Sequence, residues 1–83
     1  MEEEIRRVLA EQGRLPVEAS TLDEHADLYQ SGLTSHASVN VMLALEDAFD
    51  VEFPDAMLRK STFESIAAIR EALTELGASA PVA

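Results

Sequence analysis

The chain has 83 residues and a formal net charge of −10, from 16 acidic and 6 basic side chains. A single domain is expected at this length, and binding to nucleic acid or to an anionic membrane is excluded because both require clustered Lys and Arg. Cysteine is absent, so a disulfide framework, a thiolate metal site and a cysteine nucleophile are excluded as well. The acidic first residues and the lack of a long apolar run predict a cytoplasmic protein with no signal peptide and no membrane span.

The acidic charge is concentrated in the middle of the chain. Residues 15–58 contain nine carboxylates and no Lys or Arg. Within this stretch, residues 28–45 carry no formal charge, and we call them the neutral window. Ser35 and His36 lie near its centre. The pattern therefore predicts an acidic protein with an uncharged surface around these two residues.

Hydrophobic spacing predicts an α-helix over residues 2–12. Ile5, Val8 and Leu9 follow the i, i+3, i+4 spacing of one helix face. Glutamates in the first turn suit the positive end of the helix dipole, and the glycine that follows the helix is a stop signal. Residues 14–33 show no sustained period and predict a long loop, a length that usually indicates a functional role.

A second helix is predicted from Ser35 to about Phe49. The turn residues Ser31 and Gly32 precede it, and either Thr34 or Ser35 is expected to cap its first turn. One apolar stripe of this helix is predicted to face the core rather than to bind a cofactor. The stripe consists of Val39, Met42, Leu45 and Phe49, and Val41, Ala44 and Ala48 widen it.

The remaining sequence predicts a short helical turn and a third substantial helix. Pro54 allows a turn over residues 55–58. Ser61 and Glu64 have the spacing of a capping box, which predicts the start of the last helix, and Gly77 predicts its end. The side chains expected to point inward from this helix are Phe63, Ile66, Ile69, Leu73 and Leu76.

Together these elements predict an all-α fold, a bundle of three main helices and one short helix. Residues 1–77 are expected to form the single domain. Residues 78–83 are small, polar or proline-containing, and we expect them to be a flexible tail.

Ser35 lies where a flexible turn leads into the N-terminus of a strongly predicted helix. Unpaired backbone amides and the helix dipole at such a position favour a phosphate group. The plainer interpretation is that Ser35 only caps the helix, as serine commonly does. On position alone, the cap is the favoured interpretation.

Residues 27–36 have the sequence D-L-Y-Q-S-G-L-T-S-H, with Ser35 next to last. This segment resembles the attachment motif of the acyl carrier protein family, D-L-x-x-x-G-x-D-S-L. Residues 51–54 are also similar to the family's exit from its second helix. The resemblance implies a four-helix bundle in which Ser35 is esterified by 4′-phosphopantetheine from coenzyme A. It further implies a non-catalytic carrier protein that presents a thioester-bound acyl or aminoacyl cargo to enzymes.

Four positions depart from the family's pattern. Thr34 stands where the family commonly has Asp, and His36 stands where it commonly has Leu. Ala37 and Asn40 occupy positions at which carboxylates are common. These departures predict poor recognition by the enzymes of fatty-acid synthesis and a dedicated partner for the neutral window. Some carriers of the family that resemble this chain are loaded with amino acids by free-standing ligases related to aminoacyl-tRNA synthetases, and the departures favour this subgroup.

The resemblance also implies a set of partners. A phosphopantetheinyl transferase would modify Ser35, an acyl- or amino acid:[carrier protein] ligase would load the cargo, and a downstream acceptor enzyme would receive it. The residues assigned to partner docking are Thr34, His36, Ala37, Asn40, Glu46 and Asp47. The carrier is expected to be a monomer without a metal site.

Several features have alternative interpretations. The acidic residues 46–55 would also suit a non-covalent helical adaptor that binds a basic protein. His36 is either a partner contact beside the prosthetic group or a plain surface histidine, because adjacent side chains on a helix point apart and exclude a Ser–His catalytic pair. His25 is interpreted as part of a solvated loop rather than as a metal ligand. Arg59 and Lys60 are too few for an anion-binding surface and are expected to pair with nearby acid.

Overall fold

A computed structural model describes residues 1–78 of the chain. Three α-helices form: α1 over Glu2–Gln12, α2 over Ser35–Phe49 and α3 over Ile66–Glu75. Three 3₁₀ turns lie in the connections, at Ala19–Thr21, Asp55–Met57 and Lys60–Phe63. These described residues contain no β-strand, so the predicted all-α class is confirmed, and the second 3₁₀ turn takes the place of the predicted short helix.

One hydrophobic core joins the three helices and the long loop, and α1 packs against both α2 and α3. The largest fully buried side chains are Ile5, Leu9, Leu28, Val41, Leu45, Ile66, Ile69 and Leu73. Each such side chain stabilises the fold by about 1.5–3 kcal/mol relative to an exposed one. Within residues 1–78, no helix has both the length and the apolar character needed to cross a bilayer.

The long loop between α1 and α2 is held firmly to the helices. The Nη1 of Arg6 donates hydrogen bonds to the carbonyl oxygens of Ala19, at 2.7 Å, and Leu22, at 2.6 Å. Farther along, the backbone N–H of Leu28 donates to the carbonyl oxygen of Glu64 at 2.7 Å. These bonds make the loop a fixed part of the fold, although it contains little regular structure.

Arg70 of α3 ties the start of α1 to the same loop. Its guanidinium lies 3.2 Å from the carboxylate of Glu2 and 3.2 Å from that of Glu24. The hydrogen bond and the charge of Arg70 lower the pKa of the Glu24 carboxyl, and the same contact raises the pKa of Arg70. All three side chains are partly exposed, so the cluster orients the loop more than it stabilises the fold.

The predicted capping box at the start of the last helix is wrong. Ser61 lies exposed in a 3₁₀ turn, and α3 begins only at Ile66. The N-cap is Ser65, whose Oγ accepts a hydrogen bond from the backbone N–H of Ala68 at 3.0 Å.

Tertiary packing explains why the helix does not begin at the capping box. The ring of Phe63 packs on Phe53, with ring centroids 5.4 Å apart. The next carbonyl, that of Glu64, accepts its hydrogen bond from Leu28 in the long loop instead of from within a helix. These two contacts hold the segment before Ser65 as a separate turn.

Replacing Ser65 with alanine is expected to cost about 1 kcal/mol of unfolding free energy, because the Ala68 amide loses its acceptor. Ser61→Ala is the matched control and should change the free energy by less than about 0.5 kcal/mol, as for other exposed positions. Urea denaturation measures both values. Equal losses in the two variants would contradict the assignment of the cap to Ser65.

The predicted inward face of α2 is only partly correct. The buried row of this helix is Ala37, Val41, Leu45 and Phe49. Val39 is 50% exposed, and Met42 is only partly buried against the core. Apolar residues occur on several faces of α2, so the period of its sequence does not by itself select the buried one.

The C-terminal end of α1 and the segment that follows α3 differ slightly from expectation. Gly13 is the C-cap of α1 but keeps a right-handed backbone, and Arg14 is the residue with left-handed φ, at 51°. Ala78, predicted to lie in a flexible tail, is 8% exposed and donates its N–H to the carbonyl of Leu73 at 2.9 Å. The rest of the predicted tail, residues 79–83, lies outside the described residues.

Candidate functional site

Ser35 is exposed at the first position of α2. The N-cap is Thr34, whose Oγ1 accepts a hydrogen bond from the backbone N–H of Ala37 at 3.0 Å. The interpretation of Ser35 as the cap is therefore wrong. Within residues 1–78 its hydroxyl makes no hydrogen bond, although its carbonyl accepts one from the Ser38 hydroxyl at 2.7 Å. The structure thus presents an exposed serine hydroxyl that has no role in holding the helix.

The turn that precedes Ser35 is rigidly built. The Oδ1 of Asp27 accepts hydrogen bonds from the backbone N–H groups of Tyr29, at 3.0 Å, and Gln30, at 3.2 Å. The N–H of Leu33 donates to the carbonyl of Leu28 at 2.9 Å, and both leucines are buried. These local bonds explain why Asp-Leu begins the motif, since they fix the path of the chain to the serine.

Gly32 is required by the same turn. Its φ is +119°, a conformation that side chains rarely adopt. A Cβ atom at this position would lie 2.5 Å from the Cδ of Pro16, which passes beside the turn. The close approach locks the long loop against the segment that leads into Ser35.

An open groove of about 290 Å³ lies beside Ser35. Ser38, Val39 and Met42 line it from α2, on the same side of the helix as Ser35. The opposite wall is formed by Tyr29, Leu58, Arg59, Lys60 and Phe63. The Nζ of Lys60 lies 4.9 Å from the centroid of the Tyr29 ring, within the range of a cation–π contact.

The structure separates the residues predicted for partner docking. Thr34, His36 and Asn40 line a second small depression, together with Arg14 and Gly32. The first two are exposed, and Asn40 is partly buried.

Ala37 is 5% exposed and belongs to the core. Its assignment as a docking residue is corrected accordingly, because the i, i+4 row that faces the core begins with it.

Glu46 and Asp47 lie far from Ser35, since eleven to twelve helical steps of 1.5 Å amount to roughly 17 Å along α2. Asp47 is exposed. One carboxylate oxygen of Glu46 accepts a hydrogen bond from the backbone N–H of Phe53 at 2.8 Å, so this residue fixes the exit from α2. A docking role remains a prediction for both residues.

His25 is exposed in the long loop, with its Nε2 3.3 Å from the Glu24 carboxylate. Its backbone N–H donates to the Oδ2 of Asp23 at 2.9 Å. In the part of the chain that the structure describes, no group of three or more His, Asp or Glu side chains is arranged to hold a metal ion.

Sequence reasoning missed the apolar and basic residues that face the Ser35 groove. Val39 is 50% exposed where it lines the groove from α2, and Leu58 is 46% exposed on the opposite wall. Leu43, one helical turn beyond Val39, is 52% exposed but does not line the groove. The sequence of α2 contains more apolar residues than one buried face needs. This excess could have indicated that the helix also has an exposed apolar face. No local signal places Arg59 and Lys60 near Ser35, because the approach depends on the tertiary fold.

Comparison with known proteins identifies the class. A family model described as the phosphopantetheine attachment site matches residues 3–73. The chain therefore belongs to this family and is a non-catalytic carrier protein whose prosthetic group is 4′-phosphopantetheine. The exposed, unbonded hydroxyl of Ser35 and the groove beside it fit such a group, and the predicted family membership is confirmed.

The relatives indicate a narrower subgroup. The aminoacyl carrier protein of Agrobacterium fabrum is 51% identical over 67 residues, which are 81% of each chain. A carrier protein from Agrobacterium tumefaciens, solved with AMP and an engineered glycine:[carrier protein] ligase of Bradyrhizobium japonicum, has a TM-score of 0.87 and 47% identity over 89% of this chain and 99% of the other. A glycylated carrier protein in complex with the Bradyrhizobium ligase has a TM-score of 0.73 and 27% identity over 86% and 95% of the two chains.

Proposed function

We propose that Ser35 carries the 4′-phosphopantetheine group and that the cargo is an amino acid loaded by an amino acid:[carrier protein] ligase. The observation that carries the assignment of Ser35 is its exposed hydroxyl, which has no hydrogen-bond partner among the described residues. Thr34 supplies the cap, so modification of Ser35 leaves α2 intact.

The turn before Ser35 supports the same assignment. Asp27 and Gly32 hold the backbone in one path, and the buried Leu28 and Leu33 anchor that path in the core. A rigid attachment point lets docked enzymes find the end of a flexible arm at high effective concentration. The group supplies the thiol that a chain without cysteine lacks.

The amino acid cargo is supported by two kinds of relative. One is the curated aminoacyl carrier protein of Agrobacterium fabrum, and the others are carrier proteins seen in complex with glycine:[carrier protein] ligases. None of Thr34, His36 and Asn40 is a carboxylate, so the surface beside Ser35 suits a partner that does not select carboxylates there. His36 is proposed to contact that partner.

Two further partners belong to this proposal. A phosphopantetheinyl transferase transfers the group from coenzyme A to Ser35, and a downstream acceptor enzyme takes the cargo. The nine carboxylates of residues 15–58 favour partners with basic docking faces, because complementary charge speeds encounter.

Intact-mass measurement after co-expression with a broad-specificity phosphopantetheinyl transferase tests the attachment residue. The wild-type chain should gain one phosphopantetheine group, and Ser35→Ala should gain none. Ser38→Ala is the matched control, since Ser38 lines the same groove one turn later and should not affect the modification. A wild-type chain that gains no group with any such transferase would leave the acidic adaptor as the better explanation.

A further inference from the structure

The six basic side chains of the protein fall into two sets. Arg6, Arg7 and Arg70 each lie in an ion pair with one or two glutamates. The second set consists of Arg14, Arg59 and Lys60. Among residues 1–78, none of these three has a carboxylate within 4.0 Å. The expectation that Arg59 and Lys60 pair with nearby acid is therefore wrong.

The fold places these unpaired cations around Ser35. Arg59 and Lys60 line the groove that Ser35 itself lines. Arg14 lies on the other side of the α2 N-terminus, beside Thr34 and His36. In a protein with a net charge of −10, cations that find no acidic partner mark a surface suited to an anion from outside the chain.

We propose that Arg59 and Lys60 bind the phosphodiester that links Ser35 to the pantetheine arm, so that the first part of the arm lies in the groove. This inference rests on the proposed attachment at Ser35. A phosphodiester is a permanent anion at neutral pH, and charge-assisted hydrogen bonds from guanidinium and ammonium groups are the strong contacts available to it. Arg59 offers a planar set of donors, and Lys60 offers a compact charge.

The remaining lining of the groove suits the pantoyl part of the arm, which is joined directly to the phosphate. The pantoyl part carries two methyl groups, and Val39, Met42 and Leu58 present apolar surface to them. Tyr29 adds an aromatic face, and its contact with Lys60 holds that ammonium at the groove. The groove is open to solvent, so the arm can leave it when a partner enzyme takes the cargo.

The same two cations determine which part of a loaded arm stays in the groove. An aminoacyl thioester carries a protonated α-amino group at its far end, and this charge has the same sign as Arg59 and Lys60. Like charges repel, so the aminoacyl end remains outside while the phosphodiester end is held. The carrier thereby keeps its cargo accessible to enzymes instead of covering it.

NMR spectroscopy of apo and phosphopantetheinylated protein tests the proposal without any enzyme assay. In the wild type, attachment should shift the amide signals of Tyr29, Arg59 and Lys60, and contacts should appear between the pantoyl methyl protons and Tyr29 or Met42. Raising the salt concentration should reduce the shifts, since the Debye length falls from about 10 Å at 0.1 M to about 3 Å at 1 M. Unchanged amide signals on attachment would overturn the proposal.

A charge-removing double variant sharpens the test. In Arg59→Gln/Lys60→Gln, the ³¹P signal of the phosphodiester should move from its wild-type position and lose its dependence on salt, and the contacts to the methyl protons should disappear. Arg14→Gln is the matched control, because it removes a cation outside the groove and should leave the ³¹P signal unchanged. A double variant with wild-type ³¹P and methyl signals would overturn the role of the two cations.

The experiments distinguish a failure of the groove proposal from a failure of the proposed attachment at Ser35. Intact mass establishes that each sample carries one phosphopantetheine group before its spectra are recorded. A modified protein whose groove signals do not respond contradicts the groove proposal and leaves Ser35 as the attachment residue. A wild-type chain that cannot be modified contradicts the proposed function itself, and the groove proposal fails with it.

Discussion

Gly32→Ala is expected to destabilise the carrier by about 3 kcal/mol, the sum of a strained backbone and a steric clash of roughly 1–3 kcal/mol each. The φ of +119° lies in a region that alanine avoids, and the new Cβ would lie 2.5 Å from the Cδ of Pro16. In a domain of this size, such a loss lowers the Tm by on the order of 15 °C. Calorimetry or thermal denaturation followed by circular dichroism measures the change.

Gly77→Ala is the matched control for the backbone strain alone. Gly77 also has a positive φ, of +89°, but nothing lies within 4 Å of the position that its Cβ would occupy. The control should therefore lose only about 1 kcal/mol. Pro16→Ala in the Gly32→Ala background should recover part of the stability by removing the ring. Equal losses in the two glycine variants would show that the Pro16 contact contributes nothing.

The position of Gly32 links this stability effect to function. It lies three residues before Ser35, between the buried Leu28 and Leu33, so a shift of the turn moves the proposed attachment point. We expect Gly32→Ala to be modified more slowly than the wild type even at temperatures at which it remains folded. Gly77→Ala, at the opposite end of the sequence, should be modified at the wild-type rate.

Local patterns predicted α1 and α2 well, because their boundaries depend on signals within a few residues. The spacing of Ile5, Val8 and Leu9 identifies a helix face that packs on the core, and the structure buries all three. Thr34 and Ser35 both fit the start of α2, and local chemistry alone does not distinguish an N-cap from the first helical residue. The difference matters here, because the residue that does not cap is the one whose hydroxyl is available.

Where long-range contacts decide the structure, the sequence patterns failed. The residues at Ser61 and Glu64 have the sequence of a capping box. However, the Glu64 carbonyl accepts its hydrogen bond from the N–H of Leu28, and α3 begins only at Ile66. Ala37 occupies a position at which carboxylates are common in the family, so the sequence suggests a surface residue. The structure instead packs its side chain in the core. Introducing Asp there to imitate other carriers would bury a charge and destabilise the fold instead of improving recognition.

The charge pattern of the sequence likewise fails to predict the charges that surround Ser35 in the folded protein. The chain between Arg14 and Arg59 contains no Lys or Arg, and residues 28–45 contain no carboxylate either, so the sequence alone predicts a neutral surface around Ser35. The fold brings both ends of this stretch back to the start of α2. The residues next to Ser35 in the sequence are thus uncharged, but the folded structure places cations around them.

The exposed apolar face of α2 is expected to be the surface that the ligase contacts. Val39 and Leu43 are 50% and 52% exposed, lie one helical turn apart and belong to the neutral window. Leu58 extends the apolar surface across the groove from Ser35. A partner that loads the arm must approach this end of the molecule, and burial of these exposed apolar side chains at an interface would be favourable.

Leu43→Asp should reduce the kcat/KM of loading by roughly 30-fold, which corresponds to a loss of about 2 kcal/mol for a residue near the centre of an interface. The kinetics are measured with phosphopantetheinylated protein and a ligase that loads the wild type, and unfolding measurements confirm that stability is unchanged. Val17→Asp is the matched control, because Val17 is 46% exposed in the long loop, away from the Ser35 groove. Loss of loading in this control, with normal loading of Leu43→Asp, would place the interface on the long loop.

Asp47→Asn separates apolar docking from electrostatic attraction. Asp47 is exposed near the far end of α2, where a carboxylate speeds encounter with a basic surface more than it strengthens the final complex. We expect loading of this variant to fall only a few-fold at low salt and to match the wild type at high salt, whereas the defect of Leu43→Asp should persist at both. A salt-sensitive defect in Leu43→Asp would mean that the added charge, rather than the lost apolar contact, disturbs the ligase.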